Sequence, residues 1–329
     1  MKKKIFLLAM LYCLVFGMSA SAAKVTGWAE ENGKKFYYVK GEKANGFVKI
    51  KGKDKTCYFR NGKMLKNRWF FHKGKKYRVN KAGTVVKNKF LKVEGKKYCF
   101  GADGAVKKGW QNLEKGRYYF GKDGVMRTGL VEIKNKYYLF SSKGILLTGE
   151  QSVGKLTYFL NENGQVEAVI KKGVVYEANG KKAEDTKALH YETLMRAKQI
   201  AAQITNDRMS KEEKIRTCFE WVVKKPYVTP RKFENTEGWP AVYANDHFIK
   251  GAGNCQSDAA AFAYLAKAIG CSEVYVCTDS EGWGLPHSWA EVEGLVYDPL
   301  FAEAKGYENN YAVPYEKYSL SVILHIPIK

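Results

Sequence analysis

Residues 109–126 read GWQNLEKGRYYFGKDGVM, two short stretches with aromatic residues separated by one turn and followed by another. The arrangement recurs about every twenty residues through the first half of the chain, with turn glycines at Gly62, Gly83, Gly104, Gly124, Gly144 and Gly164. Short strands joined by Gly, Asn or Asp turns are typical of β-hairpins. Because one hairpin cannot bury its own face, stacking on its neighbours stabilises such an array. We therefore predict an all-β hairpin-repeat solenoid over residues 23–170.

Aromatic side chains recur at fixed places in these repeats. Members of this set are Trp28, Phe47, Trp69, Phe90 and Trp110 on the first strands, together with Tyr118 and Tyr137 on second strands. The pattern resembles the cell-wall-binding repeats of Gram-positive surface proteins, the choline-binding and glucan-binding family. That resemblance makes these aromatic side chains candidates for binding a wall polymer.

The sequence argues against a cage for choline. In choline-binding members of the family, an aromatic residue just before the Tyr-Tyr-Phe strand helps to enclose the quaternary ammonium. The corresponding positions here are Phe36, Thr56, Lys76, Lys97, Arg117, Tyr137 and Thr157. Five of these seven are not aromatic, and three carry positive charges that repel choline.

Positive charge is concentrated in the first half of the chain. Residues 24–185 hold 37 Lys and Arg against 15 Asp and Glu, whereas residues 186–329 hold 16 against 18. Such asymmetry suggests a basic module that binds a polyanion, joined to a neutral module with another role. For an exported protein we expect no nucleic acid as partner. The expected partner is a cell-wall polysaccharide or an anionic teichoic-acid-like polymer.

The N-terminus has the features of an export signal. A basic start at residues 2–4 is followed by an apolar run at 5–18 and an Ala-Ser-Ala cleavage site at 20–22. We predict a signal peptide over residues 1–22 and a secreted, extracellular, cell-wall-associated protein. The apolar run is too short to span a bilayer and no later stretch qualifies, so we expect no membrane span.

The repeat pattern fades near Val169, and we interpret residues 171–188 as a linker and 189–329 as a second domain. Helical periodicity begins around Leu189, and Ser210 with Glu213 forms a capping box before an apolar helical stripe. Pro226 and Pro230 end that helix and bracket an extended segment.

Cys255 lies at the predicted start of a buried helix. The chain turns through residues 251–253 and enters a stretch, 259–266, that is apolar on nearly every face. A thiolate is favoured near the positive end of a helix dipole. The unpaired N–H groups of the first helical turn can also donate to an oxyanion. This setting predicts a nucleophile.

His287 and Asp298 are the predicted partners of that thiol. If residues 293–294 form a two-residue hairpin turn, Val292 pairs with Leu295. Strand alternation then places His287 and Asp298 on one face, within reach of each other's side chains. A carboxylate in that position orients an imidazole and stabilises its charged form.

The blocks around Cys255, His287-x-Trp289 and Tyr297-Asp298-Pro299 resemble the signature of the transglutaminase-like superfamily, papain-related α+β proteins. The resemblance implies that Cys255 is the nucleophile, His287 the base and acid, and Asp298 the orienting carboxylate. Gln256 and Trp239 are candidates for the additional oxyanion donor. Ser257 and Asp258 are interpreted as helix N-terminal stabilisers. The remaining histidines are interpreted as structural or exposed.

No cofactor or metal site is predicted, because the chain lacks zinc-type Cys and His spacing. Cys218 lies on an apolar helical stripe and is interpreted as a core residue. Export permits disulfides, and a pair between Cys271 and Cys277 stays open at this stage.

The fold class predicted is thus two-part, a β-hairpin repeat solenoid followed by an α+β papain-like domain. We expect a wall-associated thiol enzyme that attacks amide carbonyls of a protein or peptide and forms a thioester. Water as acceptor would make it a protease, amidase or deamidase, and a lysine amine would make it a transglutaminase. The alternative is a non-catalytic cell-wall-binding or adhesion scaffold that carries a silent transglutaminase-like module.

Overall fold

The computed structural model describes residues 26–50, 52, 55–281 and 286–329. The predicted signal peptide, residues 1–22, lies outside the described residues. The chain divides into two compact units, the first ending at Arg127 and the second beginning at Thr128.

The first unit consists of consecutive antiparallel hairpins, as the repeat pattern predicted. Its strands are β1 (Gly27–Glu31), β2 (Lys34–Val39), β3 (Glu42–Lys43), β4 (Gly46–Lys49), β5 (Thr56–Arg60), β6 (Lys63–Met64), β7 (Arg68–His72), β8 (Lys75–Val79), β9 (Lys89–Val93), β10 (Lys96–Phe100), β11 (Gly109–Leu113) and β12 (Gly116–Phe120). Each forms a two- or three-stranded sheet with its sequence neighbours. Small sheets of this kind depend on one another for burial.

The turn glycines interlock successive repeats. Gly124 has a φ of +80°, a left-handed conformation that side chains with a Cβ rarely adopt. A Cβ on Gly124 would also lie 2.3 Å from Cγ1 of Val106 in the preceding repeat. Glycine is therefore required here both for the turn and for the close approach of the next repeat.

Basic side chains cover aromatic rings along the first unit. Nζ of Lys76 lies 4.3 Å from the Trp69 ring centroid, and the Arg117 guanidinium carbon lies 4.3 Å from that of Trp110. Such cation–π contacts are favourable. They also place positive charge at two of the positions where a choline cage would need an aromatic side chain.

The second unit opens with further hairpins and a four-stranded sheet. Their strands are β13 (Gly129–Ile133), β14 (Lys136–Phe140), β15 (Gly149–Val153), β16 (Leu156–Leu160), β17 (Val166–Lys171) and β18 (Val174–Tyr176). The stretch 171–188, interpreted above as a linker, contains β18 and the first residues of the following helix. Ala168 and Val175 from this sheet are buried in the same core as the helices of the unit.

The rest of the second unit is α+β. Its helices are α1 (Asp185–Ile204), α2 (Lys211–Val223), α3 (Trp239–Asn245), α4 (Cys255–Ala268) and α5 (Pro299–Lys305), with a π-helical turn at Asp246–Lys250 and 3₁₀ turns at Tyr307–Asn309 and Tyr315–Lys317. Its sheet has the order β21-β20-β19-β22, formed by β19 (Val274–Thr278), β20 (Ser288–Val292), β21 (Leu295–Tyr297) and β22 (Leu324–Pro327). The predicted two-part fold class is confirmed.

The second-unit core surrounds α4. Ten of its fourteen residues are less than 4% exposed, which agrees with its predicted burial. The capping box of Ser210 and Glu213 is present at the start of α2, and Cys218 is fully buried. Helix α1 begins at Asp185, four residues before the predicted onset, because its first turn is polar and shows no apolar periodicity.

The six described cysteines, including Cys271 and Cys277, are free thiols. Among the helices in the described part of the chain, none has the length and apolar character needed to cross a bilayer.

Candidate active site

Cys255 is the first residue of α4 and is 8% exposed. The side chain of Asn254 caps the helix by accepting a hydrogen bond from the backbone N–H of Ser257 at 3.2 Å. The cap leaves the first backbone N–H groups of the helix beside the thiol, where they can serve an oxyanion.

The segment before α4 is fixed by backbone pairing. Tyr227 forms a parallel bridge with Gly253, and the N–H of Val228 donates to the Gly253 carbonyl at 2.7 Å. A Cβ on Gly253 would lie 2.3 Å from Cβ of Ser257. The extended segment between the two prolines therefore holds the approach to Cys255, and glycine is required for the tight entry into the helix.

The hairpin of β20 and β21 brings His287 to Asp298. The predicted pairing of Val292 with Leu295 is confirmed, and the turn residues Glu293 and Gly294 have φ values of 52° and 82°. Both are left-handed, as a tight type I′ turn requires. Nε2 of His287 lies 2.6 Å from Oδ2 of Asp298.

Asp298 is fully buried and accepts three hydrogen bonds. Besides His287, the hydroxyl of Tyr318 donates to Oδ2 at 2.7 Å, and the N–H of Phe301 donates to Oδ1 at 3.0 Å. The last contact makes Asp298 the N-cap of α5. The Phe301 ring stacks on the His287 imidazole with centroids 4.0 Å apart. Packing and hydrogen bonds thus fix both partners of the pair.

The imidazole of His287 has a raised pKa. Burial by itself lowers the pKa, but the hydrogen bonds with Asp298 and Cys255 outweigh it and raise the pKa of His287 to about 9. Because Nε2 faces Asp298, Nδ1 is the ring nitrogen available to Cys255. The structure therefore brings the three predicted residues together, with the imidazole protonated at neutral pH.

Of the two oxyanion candidates, Gln256 shares a hydrogen-bond acceptor with the thiol. Its amide donates to the Pro286 carbonyl at 2.5 Å, and Sγ of Cys255 lies 3.6 Å from the same oxygen. Trp239 instead packs against Phe233 and lines a cavity of about 900 Å³ with residues that include His190 and Tyr264.

Sequence reasoning missed a buried polar network beneath the start of α4. His247, interpreted as structural or exposed, is 2% exposed. Its Nε2 lies 2.6 Å from Oδ1 of Asp258, so this histidine is buried as half of a hydrogen-bonded pair. Ser257 donates to Asp246, which is also bound by the Arg231 guanidinium. His247 and Asp258 lie eleven residues apart, and Arg231 and Asp246 fifteen, so local spacing gave no signal of these pairs.

The predicted wall-polymer residues differ in accessibility. Trp28 is 49% exposed, whereas Tyr118 is 4% exposed and lies in the aromatic packing with Phe90. Phe47, Trp69, Phe90, Trp110 and Tyr137 are half-buried. Trp28 is the most open of the candidates.

Comparison with protein families matches both halves of the chain. Residues 198–299 match the family model of the transglutaminase-like superfamily, and residues 108–126 match that of the putative cell wall binding repeat. Both resemblances noted from the sequence are confirmed. The chain thus combines a transglutaminase-like region with repeats of the cell-wall-binding type.

Solved structures with similarity include choline binding protein F from Streptococcus pneumoniae, at 27% identity and a TM-score of 0.40, covering 49% of this chain and 58% of that protein. Another is CbpJ from Streptococcus pneumoniae TIGR4, at 22% identity and a TM-score of 0.40, with coverage of 48% and 58%. This chain thus spans less than two thirds of either protein. A comparison with curated proteins gave no match.

Proposed function

We propose that this protein is an exported, cell-wall-associated thiol enzyme that attacks amide carbonyls through Cys255, His287 and Asp298. The observation that carries the proposal is the buried pair of His287 and Asp298 at 2.6 Å, together with Cys255 at a helix start, whose interaction with the imidazole helps to raise the pKa of His287. A core cysteine and a structural histidine have no need of this arrangement, whereas thiol catalysis does.

The chemistry follows from the protonation state of the pair. Cys255 attacks the carbonyl carbon as its thiolate, which forms the C–S bond and moves the carbonyl π electrons onto oxygen. When this intermediate collapses, the C–N bond breaks and the imidazolium of His287 gives its proton to the leaving amine, so the product is a thioester on Cys255. Neutral His287 then takes a proton from water or from an acceptor amine as that acceptor attacks the thioester, and collapse expels the Cys255 thiolate beside the restored imidazolium.

The oxyanion of the intermediate would be bound at the start of α4. Backbone N–H groups of the first helical turn have no helical partners and would be available to it, and the helix dipole would add favourable potential. We infer that the Gln256 amide is the additional donor, because it already lies beside the thiol on the Pro286 carbonyl. Gln256→Ala is then expected to lower kcat by about 10²-fold or more with little change in KM.

The repeats would hold the enzyme on an anionic wall polymer. Trp28, Lys35, Lys63 and Lys66 line one surface cavity of about 770 Å³ in the first unit. An exposed ring beside several ammonium groups suits a sugar polymer that carries phosphate or carboxylate. The cations over Trp69 and Trp110 support this class of ligand over choline.

Thiol reactivity tests the catalytic proposal against the scaffold alternative. Cys255 should alkylate with iodoacetamide much faster than Cys218, whose thiol is buried and has its pKa raised to about 12 by burial. His287→Ala should slow alkylation of Cys255 and leave the other cysteines unchanged. Equal rates at Cys255 and Cys218 would support the silent scaffold.

Product analysis then identifies the acceptor. A glutamine-rich protein is incubated with the mature chain and a small primary amine, with Cys255→Ala as the matched control, and analysed by mass spectrometry. Amine adducts that disappear in the control identify a transglutaminase. Cleavage or deamidation that disappears in the control identifies a hydrolase. Release of new amines from purified wall would identify a wall stem peptide as substrate.

A further inference from the structure

Three potential metal ligands meet on the sheet of the second unit, outside the candidate triad. Cys277 on β19 and His325 on β22 are directly paired across the strands. Glu291 on β20 pairs with Tyr275, which lies two residues from Cys277, so the three side chains share one face. Their ligand atoms all lie within 4.8 Å of one another.

Neighbouring aromatic residues hold these side chains in place. The Tyr275 ring stacks on the His325 imidazole with centroids 3.9 Å apart, and Nε2 of His325 lies 2.9 Å from Oε2 of Glu291. The Tyr315 hydroxyl donates to the same Glu291 oxygen at 3.0 Å and lies 3.6 Å from Sγ of Cys277. Tyr315 is not one of the three ligands, and a hydroxyl that orients ligands in this way is typical of metal sites.

We propose that Cys277, Glu291 and His325 form a binding site for a divalent cation of the zinc class. Thiolate, imidazole and carboxylate are the three ligand types that Zn²⁺ takes in proteins, and three protein ligands leave a fourth position for water or the Tyr315 oxygen. The thiolate and the carboxylate together balance the charge of the ion. Calcium and magnesium select all-oxygen sites and are excluded by the thiol and imidazole.

Thiolate is the form of cysteine that ligates metals, so binding of the ion would displace the Cys277 thiol proton to solvent. The ion would enter from the side of His325, whose side chain is 42% exposed, while Cys277 is fully buried.

Cobalt is the probe for this site, since Co²⁺ bound to a thiolate gives a near-ultraviolet charge-transfer band. The variant Cys255→Ala is titrated with Co²⁺, so that the catalytic thiol cannot contribute. We expect one Co²⁺ per chain, a thiolate band, and its loss on addition of Zn²⁺. In the same background His325→Ala should weaken Co²⁺ binding on the order of 100-fold. Loss of a ligand should cost at least as much affinity as loss of a residue that only orients a ligand.

Three further variants keep the test decisive. His325 is half-exposed, so its replacement should leave the far-ultraviolet circular dichroism unchanged. Glu291→Gln is a conservative substitution of a second ligand and should also weaken Co²⁺ binding. Cys271→Ser is the matched thiol control and should retain the band. The proposal is overturned if Cys255→Ala shows no thiolate band, or if the band survives Cys277→Ser or disappears in Cys271→Ser.

Discussion

At the scale of single residues, Asp298 determines the geometry of the candidate site. This buried carboxylate orients His287 and accepts a hydrogen bond from the Tyr318 hydroxyl. It also caps α5 by accepting from the backbone N–H of Phe301. These contacts leave the carboxylate little freedom to rotate, so the imidazole is held at one angle. Such rigidity is what a proton transfer between thiol, imidazole and amide requires.

The raised pKa of His287 gives the first prediction. Below its ordinary value of 6.5 the imidazole is protonated in folded and unfolded chains alike, so its contribution to the free energy of unfolding is fully present. That contribution, and the proton needed by the leaving amine, are both lost as the pH rises through about 9. We expect kcat/KM on an amide substrate to fall above that pH.

The variant Asp298→Asn tests whether Asp298 is the cause of the raised pKa of His287. It should move the basic limb of the pH profile to lower pH and reduce kcat by up to about 10⁴-fold, as misorientation of a triad histidine does. Asp279→Asn is the matched control, because Asp279 accepts from the backbone N–H of His287 at 2.8 Å, whereas Asp298 contacts the imidazole. A basic limb that stays near pH 9 in Asp298→Asn would contradict this assignment.

The buried pair of His247 and Asp258 gives the second prediction. Burial raises the pKa of Asp258, and its hydrogen bond with His247 opposes the rise. His247→Ala leaves this carboxyl buried without its partner and should lower the free energy of unfolding by about 3 kcal/mol. Hydrogen exchange of peptides from α4 in increasing urea would measure it.

A double-mutant cycle separates pairing from packing at this site. Adding Asp258→Asn to His247→Ala removes the unpaired charge, so the double variant should recover part of the lost stability. Additive losses in the two single variants would mean that the pair contributes only by filling space.

At the scale of elements, the repeats depend on a glycine that faces the preceding hairpin. Gly124→Ala places a Cβ 2.3 Å from Val106 in a left-handed backbone, whereas Gly109, with a φ of +67°, has open space around its Cβ position. We expect Gly109→Ala to cost about 1 kcal/mol through its backbone alone. Gly124→Ala should cost about 2–4 kcal/mol, because overpacking adds to that strain.

Hydrogen exchange of peptides covering residues 104–126 in the full chain measures both variants. The companion substitution Val106→Ala should recover the overpacking part of the loss in Gly124→Ala, whereas in Gly109→Ala it should add a further loss, because Val106 is buried. Equal protection losses in the two glycine variants would show that the turn conformation matters and the interlocking does not.

The elements also show what the sequence could predict. The hairpins and the His287–Asp298 pairing follow from local patterns, since turn glycines and alternation act over a few residues. The pairing of β19 with β22 does not follow from local patterns. Strand β22, Leu324–Pro327, is short, and its partner lies far away in the chain. Consequently the cluster of Cys277, Glu291 and His325 has no recognisable spacing. The His247–Asp258 pair was missed for a different reason, because it joins a π-helical turn to α4 and neither strand alternation nor one helical period relates the two side chains.

At the scale of the whole molecule, positive charge is concentrated in residues 24–185, and residues 186–329 are nearly neutral. The basic repeats suit adhesion to a polyanion and the nearly neutral remainder suits chemistry on an amide. Removal of the first unit, which ends at Arg127, should therefore leave the proposed thiol chemistry intact on a small soluble substrate and abolish local concentration at the wall.

The proposed attachment through charge would make wall binding sensitive to salt. Exposed pairs are screened over about 8–10 Å near 0.1 M salt and over about 3 Å at 1 M, so binding to purified wall should weaken steeply across that range. The double variant Lys35→Gln, Lys66→Gln should weaken binding in low salt and reduce its salt dependence, because both lysines line the cavity beside Trp28.

The matched control is Lys224→Gln, Lys232→Gln, which removes two exposed charges from the second unit and should bind as the parent does. Sedimentation with wall treated to remove its anionic polymer completes the test. Binding that persists on treated wall and in high salt would assign attachment to neutral sugar contacts at Trp28.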